Sequence, residues 1–256
     1  MSISLVLDSS KLTGSNPSNF TLNFSKGIEL QEMMNQQKKY EIALITADLW
    51  YTWKNIRSSF GNNSLRYHNG TLWRTVTFPN GNYQVSDIND YLHERMKVNG
   101  DSTVVAGEDV FDVNLLANPV TIQVDIKLTN SYQIDLSVST LNELLGFNSA
   151  IYNADVSSQN RVDITRGVNN LLIRCSIVMG SYDNTQGTDI LYTFVPNTSR
   201  GSAIHIEPNN PIYVPIQVQD QIKTITMRIT DQLNREIIFD GENVGYYLQI
   251  RPSKYQ

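Results

Sequence analysis

The sequence is short of charge, of cysteine and of long apolar runs, and each shortage removes a class of function. Only 18% of the 256 residues are Asp, Glu, Lys or Arg, against ~25% in an average soluble domain. Their balance, −5, has the wrong sign for a protein whose main task is to hold nucleic acid, because phosphate binding needs a basic field. One cysteine, Cys175, excludes an internal disulfide and a cysteine-rich metal site. Within LLIRCSIVM it reads as a small buried hydrophobe. No apolar stretch approaches the ~20 residues needed to cross a bilayer, so no membrane insertion is expected. No charged segment followed by an apolar core opens the chain, so no secretion signal is expected either.

Chemistry-bearing patterns are missing as well. His68, His93 and His205 lie far apart, and none is spaced with another His, Cys or carboxylate as a metal site requires. Phosphate-loop, dinucleotide and nucleophile-elbow motifs are absent. Glu236, Asp240 and Glu242 could be pictured as a glycosidase pair, but that chemistry is defined by a carboxyl separation that a sequence does not supply. Exposed turn carboxylates are far commoner than catalytic ones. No enzyme, cofactor or metal is expected.

What the chain has is Asn, Ser and Thr set among alternating apolar residues, a mixture that favours turns and β-faces. Lys223–Thr230 alternates without a fault, with Ile225, Met227 and Ile229 on one side and Thr224, Thr226, Arg228 and Thr230 on the other. Glu236–Asp240 and Val244–Ile250 follow, so three antiparallel strands are expected to close the chain and pair back against its start. At the front, Ser2–Asp8 and Asn19–Ser25 read as strands, and Ile28–Gln36 is ambiguous. Tyr40–Trp53 reads as a long strand with a bulge near Asp48. Ser64–His68 and Thr71–Phe78 form a hairpin around Asn69-Gly70.

The period then changes. Ser86–Met96 has helical spacing with Ser86 as N-cap, and Asn99–Asp109 is a loop. Val120–Leu128 and Tyr132–Val138 alternate as strands, and Thr140–Leu145 is a short helix stopped by Gly146. Residues 80–150 thus read as a helix–strand–strand–helix insertion in an all-β chain. Arg161–Thr165, Asn170–Met179, Asp189–Val195, Ala203–Glu207 and Ile212–Val218 resume the strands, with Ser181–Thr188 and Pro196–Gly201 as loops.

Trp50, Tyr51 and Trp53, with Trp73 on the hairpin, form the one aromatic concentration. Three readings stand open for them: anchors of a subunit interface, a sugar-stacking platform, or rings that close the end of the core.

Several runs, in this order, resemble the penton, or minor capsid, proteins of the Polinton/Maverick, adintovirus and virophage group of icosahedral DNA viruses. They are NFTLNF (19–24), YEIALITADLWYTWKNI (40–56), FPNGNYQVSDINDYL (78–92), LNELLGF (141–147), GVNNLLIRCSIVMGSY (167–182), TDILYTFVP (188–196) and ITDQLNREIIFDGENVGYYLQI (229–250). The resemblance implies a single jelly-roll β-sandwich with a small α/β insertion. In those terms one discontinuous domain, residues 1–79 and 151–256, carries the insertion 80–150. It further implies a structural protein of the virion whose homopentamers close the five-fold vertices, beside a double-jelly-roll major capsid protein. The alternative is a glycan- or receptor-binding sandwich that uses Trp50, Trp53 or Trp73. An Arg-Gly-Asp receptor loop is not among the shared features: Arg166-Gly167 is followed by Val and Arg200-Gly201 by Ser. Residues 1–20 hold one basic residue, Lys11, so no genome-condensing arm is expected.

Overall fold

A computed structural model describes residues 2–11, 16–30, 39–165, 168–183, 186–217 and 221–253. The chain forms two compact units, Met1–Trp53 with Val168–Gln256, and Lys54–Gly167. The first unit opens with β1 (Ile3–Asp8), β2 (Asn19–Glu29) and β3 (Tyr40–Trp50). The second holds β4 (Ser64–His68), β5 (Trp73–Thr77), helix α1 (Val85–Val98), β6 (Thr103–Val105), β7 (Glu108–Val110) and β8 (Val113–Asn118). It continues with β9 (Gln123–Leu128), β10 (Gln133–Asp135), helix α2 (Leu141–Leu145), β11 (Ile151–Tyr152) and β12 (Val156–Ser157). The first unit resumes with β13 (Leu171–Cys175), β14 (Ser181–Asp183), β15 (Gln186–Thr188) and β16 (Ile190–Phe194). It ends with β17 (Ala203–Ile206), β18 (Val214–Pro215), β19 (Gln221–Asp231) and β20 (Gly245–Pro252).

Eight strands make the frame of the first unit. One sheet runs β1-β20-β3-β17, with β18 also on β3, and the other runs β16-β13-β19-β2. The pairing is nested: first with last (β1–β20), second with seventh (β2–β19), third with sixth (β3–β17) and fourth with fifth (β13–β16). Of the links between consecutive frame strands, only that from β13 to β16 stays within a sheet. That nesting is the jelly roll, so the expected all-β fold is present.

The inward residues are those the alternation picks out. Leu5 and Leu7 of β1, Ile225, Met227 and Ile229 of β19, and Tyr246, Leu248 and Ile250 of β20 are all buried in one core. The bulge in β3 falls at Ile45 rather than at Asp48, because Tyr247 faces Thr46 while Leu248 already faces Leu44.

Two linked expectations for this unit are corrected. Glu236–Asp240 is not a strand; it makes one isolated bridge, Thr230 with Glu236, and buries Ile237 and Phe239 in the link between sheets. Consequently β19 and β20 do not pair with each other but lie in opposite sheets, each against an early strand. The Thr/Arg face of β19 is exposed at Thr224 and buried at Thr230. Arg174 is 5% exposed there and Thr230 is fully buried. The Arg174 Nε donates to Thr230 Oγ1 at 3.0 Å and its Nη1 to Asp189 at 2.8 Å. A lone buried guanidinium would be costly, and these bonds are what make it tenable. Ile212–Val218 narrows to the two-residue β18, Val218 lying outside the described residues. Ser181–Thr188 holds the short pair β14–β15. Residues 31–36 of the ambiguous stretch and Arg166-Gly167 also lie outside them.

The second unit has its own core. Val85, Ile88, Leu92 and Met96 of α1 pack in one cluster with residues of a β11-β10-β4-β5 sheet and a β12-β9-β8 sheet. The segment 80–150 lies inside this unit, which also takes in the β4–β5 hairpin and runs to Gly167. Helix α1 starts two residues earlier than an N-cap at Ser86 implies, with Gln84 at the N-cap position. The cause is Asp87, whose carboxylate accepts the Gln84 N–H at 2.7 Å. The β4–β5 connection is four residues, not two: Asn69 Oδ1 accepts the N–H groups of Thr71 and Leu72, closing a wider turn. The expected loop 99–109 contains the hairpin β6–β7, turned by Ala106 and Gly107, both at positive φ. Val120 and Ile122 sit exposed in the turn before β9, and Arg161–Thr165 is not a strand. Tyr132–Val138 contracts to β10.

Candidate functional site

The bulge at Ile45 resets the phase of β3, so that Ala47 and Leu49 enter the core while Asp48 and Trp50 emerge on the outer face. The strand β17 brings Ala203 opposite Trp50 and His205 opposite Asp48. The result is an exposed patch at one edge of the sheet, with Trp50 at 42% exposure beside a three-membered charge cluster. His205 Nδ1 lies 2.6 Å from Asp48 Oδ1, and its Nε2 lies 3.8 Å from Glu207 Oε2. The hydrogen bond to Asp48, then its charge, raises the imidazole pKa above its ordinary value.

The other predicted aromatics are placed differently. Trp53 is 7% exposed, stacked on Tyr51 at 4.0 Å between centroids and edge-on to Phe239 at 6.0 Å. It closes the end of the jelly-roll core, and Tyr51 covers it. Trp73 belongs to the second unit, where Arg66 lies 5.0 Å over its ring and His68 meets it edge-on at 5.2 Å. Trp50 is therefore the open ring of the first-unit trio, and Tyr51 and Trp53 brace the end of the strand that carries it.

Asp48, His205 and Glu207 are the residues that sequence reasoning passed over. His205 sits on the wet side of an alternating run, and nothing local marks it; its partner is 157 residues away.

Glu236 accepts from Asn16 and Asn19 side chains and anchors the start of β2. Among the described residues, no group of three or more His, Cys, Asp or Glu side chains could hold a metal ion. Cys175 is buried, and desolvation pushes its thiol up to about 12, so it stays protonated at neutral pH. A groove of about 510 Å³ beside β16, lined in part by Leu172, Tyr182, Ile190, Phe194 and Val195, brings no such set of titratable groups together. Among the described residues, no helix is long and apolar enough to cross a membrane.

The chain is similar to the crystal structure of a selenomethionine-labelled mavirus penton protein, with a TM-score of 0.49 and 12% identity over 99% of this chain and 100% of that one. No family model matches the sequence, and no curated protein does. At that level of likeness a functional reading has to come from the chain itself.

Proposed function

We propose that the chain is a structural capsid protein, without catalytic activity, whose homopentamers close the five-fold vertices of an icosahedral DNA-virus shell. The observation that carries this reading is the nested pairing of eight strands, from β1–β20 outermost to β13–β16 innermost. Jelly rolls of this kind serve viral shells and lectins alike. The seven ordered sequence runs favour the shell. In this reading the first unit is one jelly-roll domain interrupted by the second, and the neighbour at the vertex is a double-jelly-roll major capsid protein.

A ring of five needs two different patches on each subunit that close by rotation. Trp50, braced by Tyr51 and Trp53 and flanked by His205 and Asp48, has the composition of an interface anchor. Trp73 is the corresponding candidate on the second unit. A glycan-binding role would need open ring faces, and Trp53 offers none.

Electron microscopy of the purified protein tests the proposal: five-fold rings are expected. A monomer that neither forms rings nor enters shells with its major capsid protein would overturn it.

A further inference from the structure

Among the described residues, four strand edges of the jelly roll are open, and three of them carry devices that discourage pairing with another chain. The β2 edge breaks register between Ile222 and Thr224 of its partner, exposes Lys26 and has Glu236 bonded at its start. The β16 edge shifts register opposite Ile173 and Arg174. On the third edge β17 is four residues long, and β18 is two residues long and ends in Pro215. The β1 edge has none of these. Ile3–Asp8 pairs residue for residue with Ile250–Gly245 without a bulge, and no charged residue occurs before Asp8. Val6 stands at its centre, 72% exposed.

The phase of the ladder says which backbone groups are unused. Ser9 N–H donates to Val244 O at 3.0 Å, two residues on in register from the Leu7–Tyr246 pair. In an antiparallel ladder bonded pairs alternate, so Ile3, Leu5 and Leu7 bond to β20, while Ser4 and Val6 direct their N–H and C=O groups outward. Among the described residues, no backbone hydrogen bond outside the β1–β20 ladder involves residues 3–7.

We infer that the β1 edge is a strand-addition seam that receives an extended segment of a second copy of this chain. The inference rests on the ring proposed above and names the edge through which the ring is joined. Backbone pairing supplies the bonds, as in strand addition generally, and the flat edge, free of charged side chains from Ile3 to Leu7, admits the incoming strand there without burying an unpaired ion.

Val6→Pro tests it cleanly. Because the Val6 N–H faces outward, proline there removes no bond within the chain, and an edge strand tolerates it. Native mass spectrometry over a concentration series should show rings for the wild type and at least tenfold weaker assembly for Val6→Pro and Val6→Lys, with thermal melts close to wild type. Thr21→Pro, at the outward phase of the β2 edge, should assemble as the wild type does. Rings that persist in both Val6 variants overturn the seam and leave the ring reading intact. A wild type that stays monomeric throughout overturns the ring reading and the seam with it, and rings lost in Thr21→Pro alone place the seam at β2 instead. If Val6→Pro fails to fold, Val6→Lys decides.

Discussion

The two units hold their strands together by different means. In the jelly roll β2, β3 and β19 are eleven residues each, and the alternation of apolar side chains supplies most of the specification. In the second unit no strand exceeds six residues, and buried polar side chains close the gaps. Asn55 is the main example. Its Nδ2 donates to the carbonyls of Tyr83 and Ile164 at 2.7 and 2.8 Å, and its Oδ1 accepts the Tyr83 N–H at 2.8 Å. That side chain clasps the beginning, middle and end of the unit. Asp101 does similar work, accepting from the Tyr67 hydroxyl at 2.6 Å and Asn69 Nδ2 at 2.7 Å. Short strands have too little ladder to fix their register, so directed side-chain bonds take over. Long strands with one buried face need no such help.

The sharpest way to break this contrast is Met227→Asp. Met227 is fully buried at the centre of β19, so an unpaired carboxylate there should cost more than about 4 kcal/mol and abolish a cooperative thermal melt. Thr226→Asp, one residue along, should keep the melt and lose about 1 kcal/mol with the hydroxyl contact to Thr21. Equal tolerance of both would mean that the jelly roll is not specified by its alternation.

Asn55→Ala is the matching cut in the second unit. It removes three hydrogen bonds made by one buried side chain, for a loss of about 2–4 kcal/mol. Hydrogen exchange should quicken across residues 54–167 and change little in the jelly-roll strands. Even loss of protection in both units would show that they unfold as one.

Acid should act on two histidines, one in each unit, in opposite senses. His93, in the second unit, is stacked on Phe111 at 4.0 Å, and burial lowers its pKa. A histidine held neutral by folding contributes stability at high pH, which is lost as pH falls through its ordinary value near 6.5 toward the lowered one. His205, in the jelly roll, has a raised pKa, so its contribution is present below that ordinary value and is lost as pH rises through the raised one. Imidazole resonances followed by NMR should therefore titrate on opposite sides of 6.5. His93→Phe should remove the acid sensitivity of the second unit, and two coincident midpoints would refute the assignment.

The smallest effect is chemical. Cys175 should resist a thiol reagent at pH 8 in the folded protein and react on addition of denaturant. Labelling of the native protein at the rate of a free thiol would show that the β13 core opens readily.

Legibility followed the same division. Frame strands were readable where burial on one face imposes a period of two, as in Ile3–Asp8 and Gln221–Asp231. The helix Val85–Val98 was readable because its period differs. Glu236–Asp240 misled because Ile237 and Phe239 are buried in a crossing between sheets, where apolar content carries no information about pairing. The hairpin β6–β7 was missed because Ala106 and Gly107 adopt positive φ without an Asn-Gly or Asp-Gly signal. Of the aromatic trio in the first unit, sequence could not separate Trp50 from Trp53, since only the phase of β3 beyond Ile45 decides which ring faces out.

By itself the sequence determined that this is a β protein with an insert of different period and low charge, because composition and periodicity are local properties of the chain. Tertiary structure alone decided that the strands nest from β1–β20 inward, that His205 meets Asp48, and that β1 is left with an unguarded edge. Those facts depend on pairings between residues far apart in the chain, and no local pattern records which distant strand satisfies a given backbone.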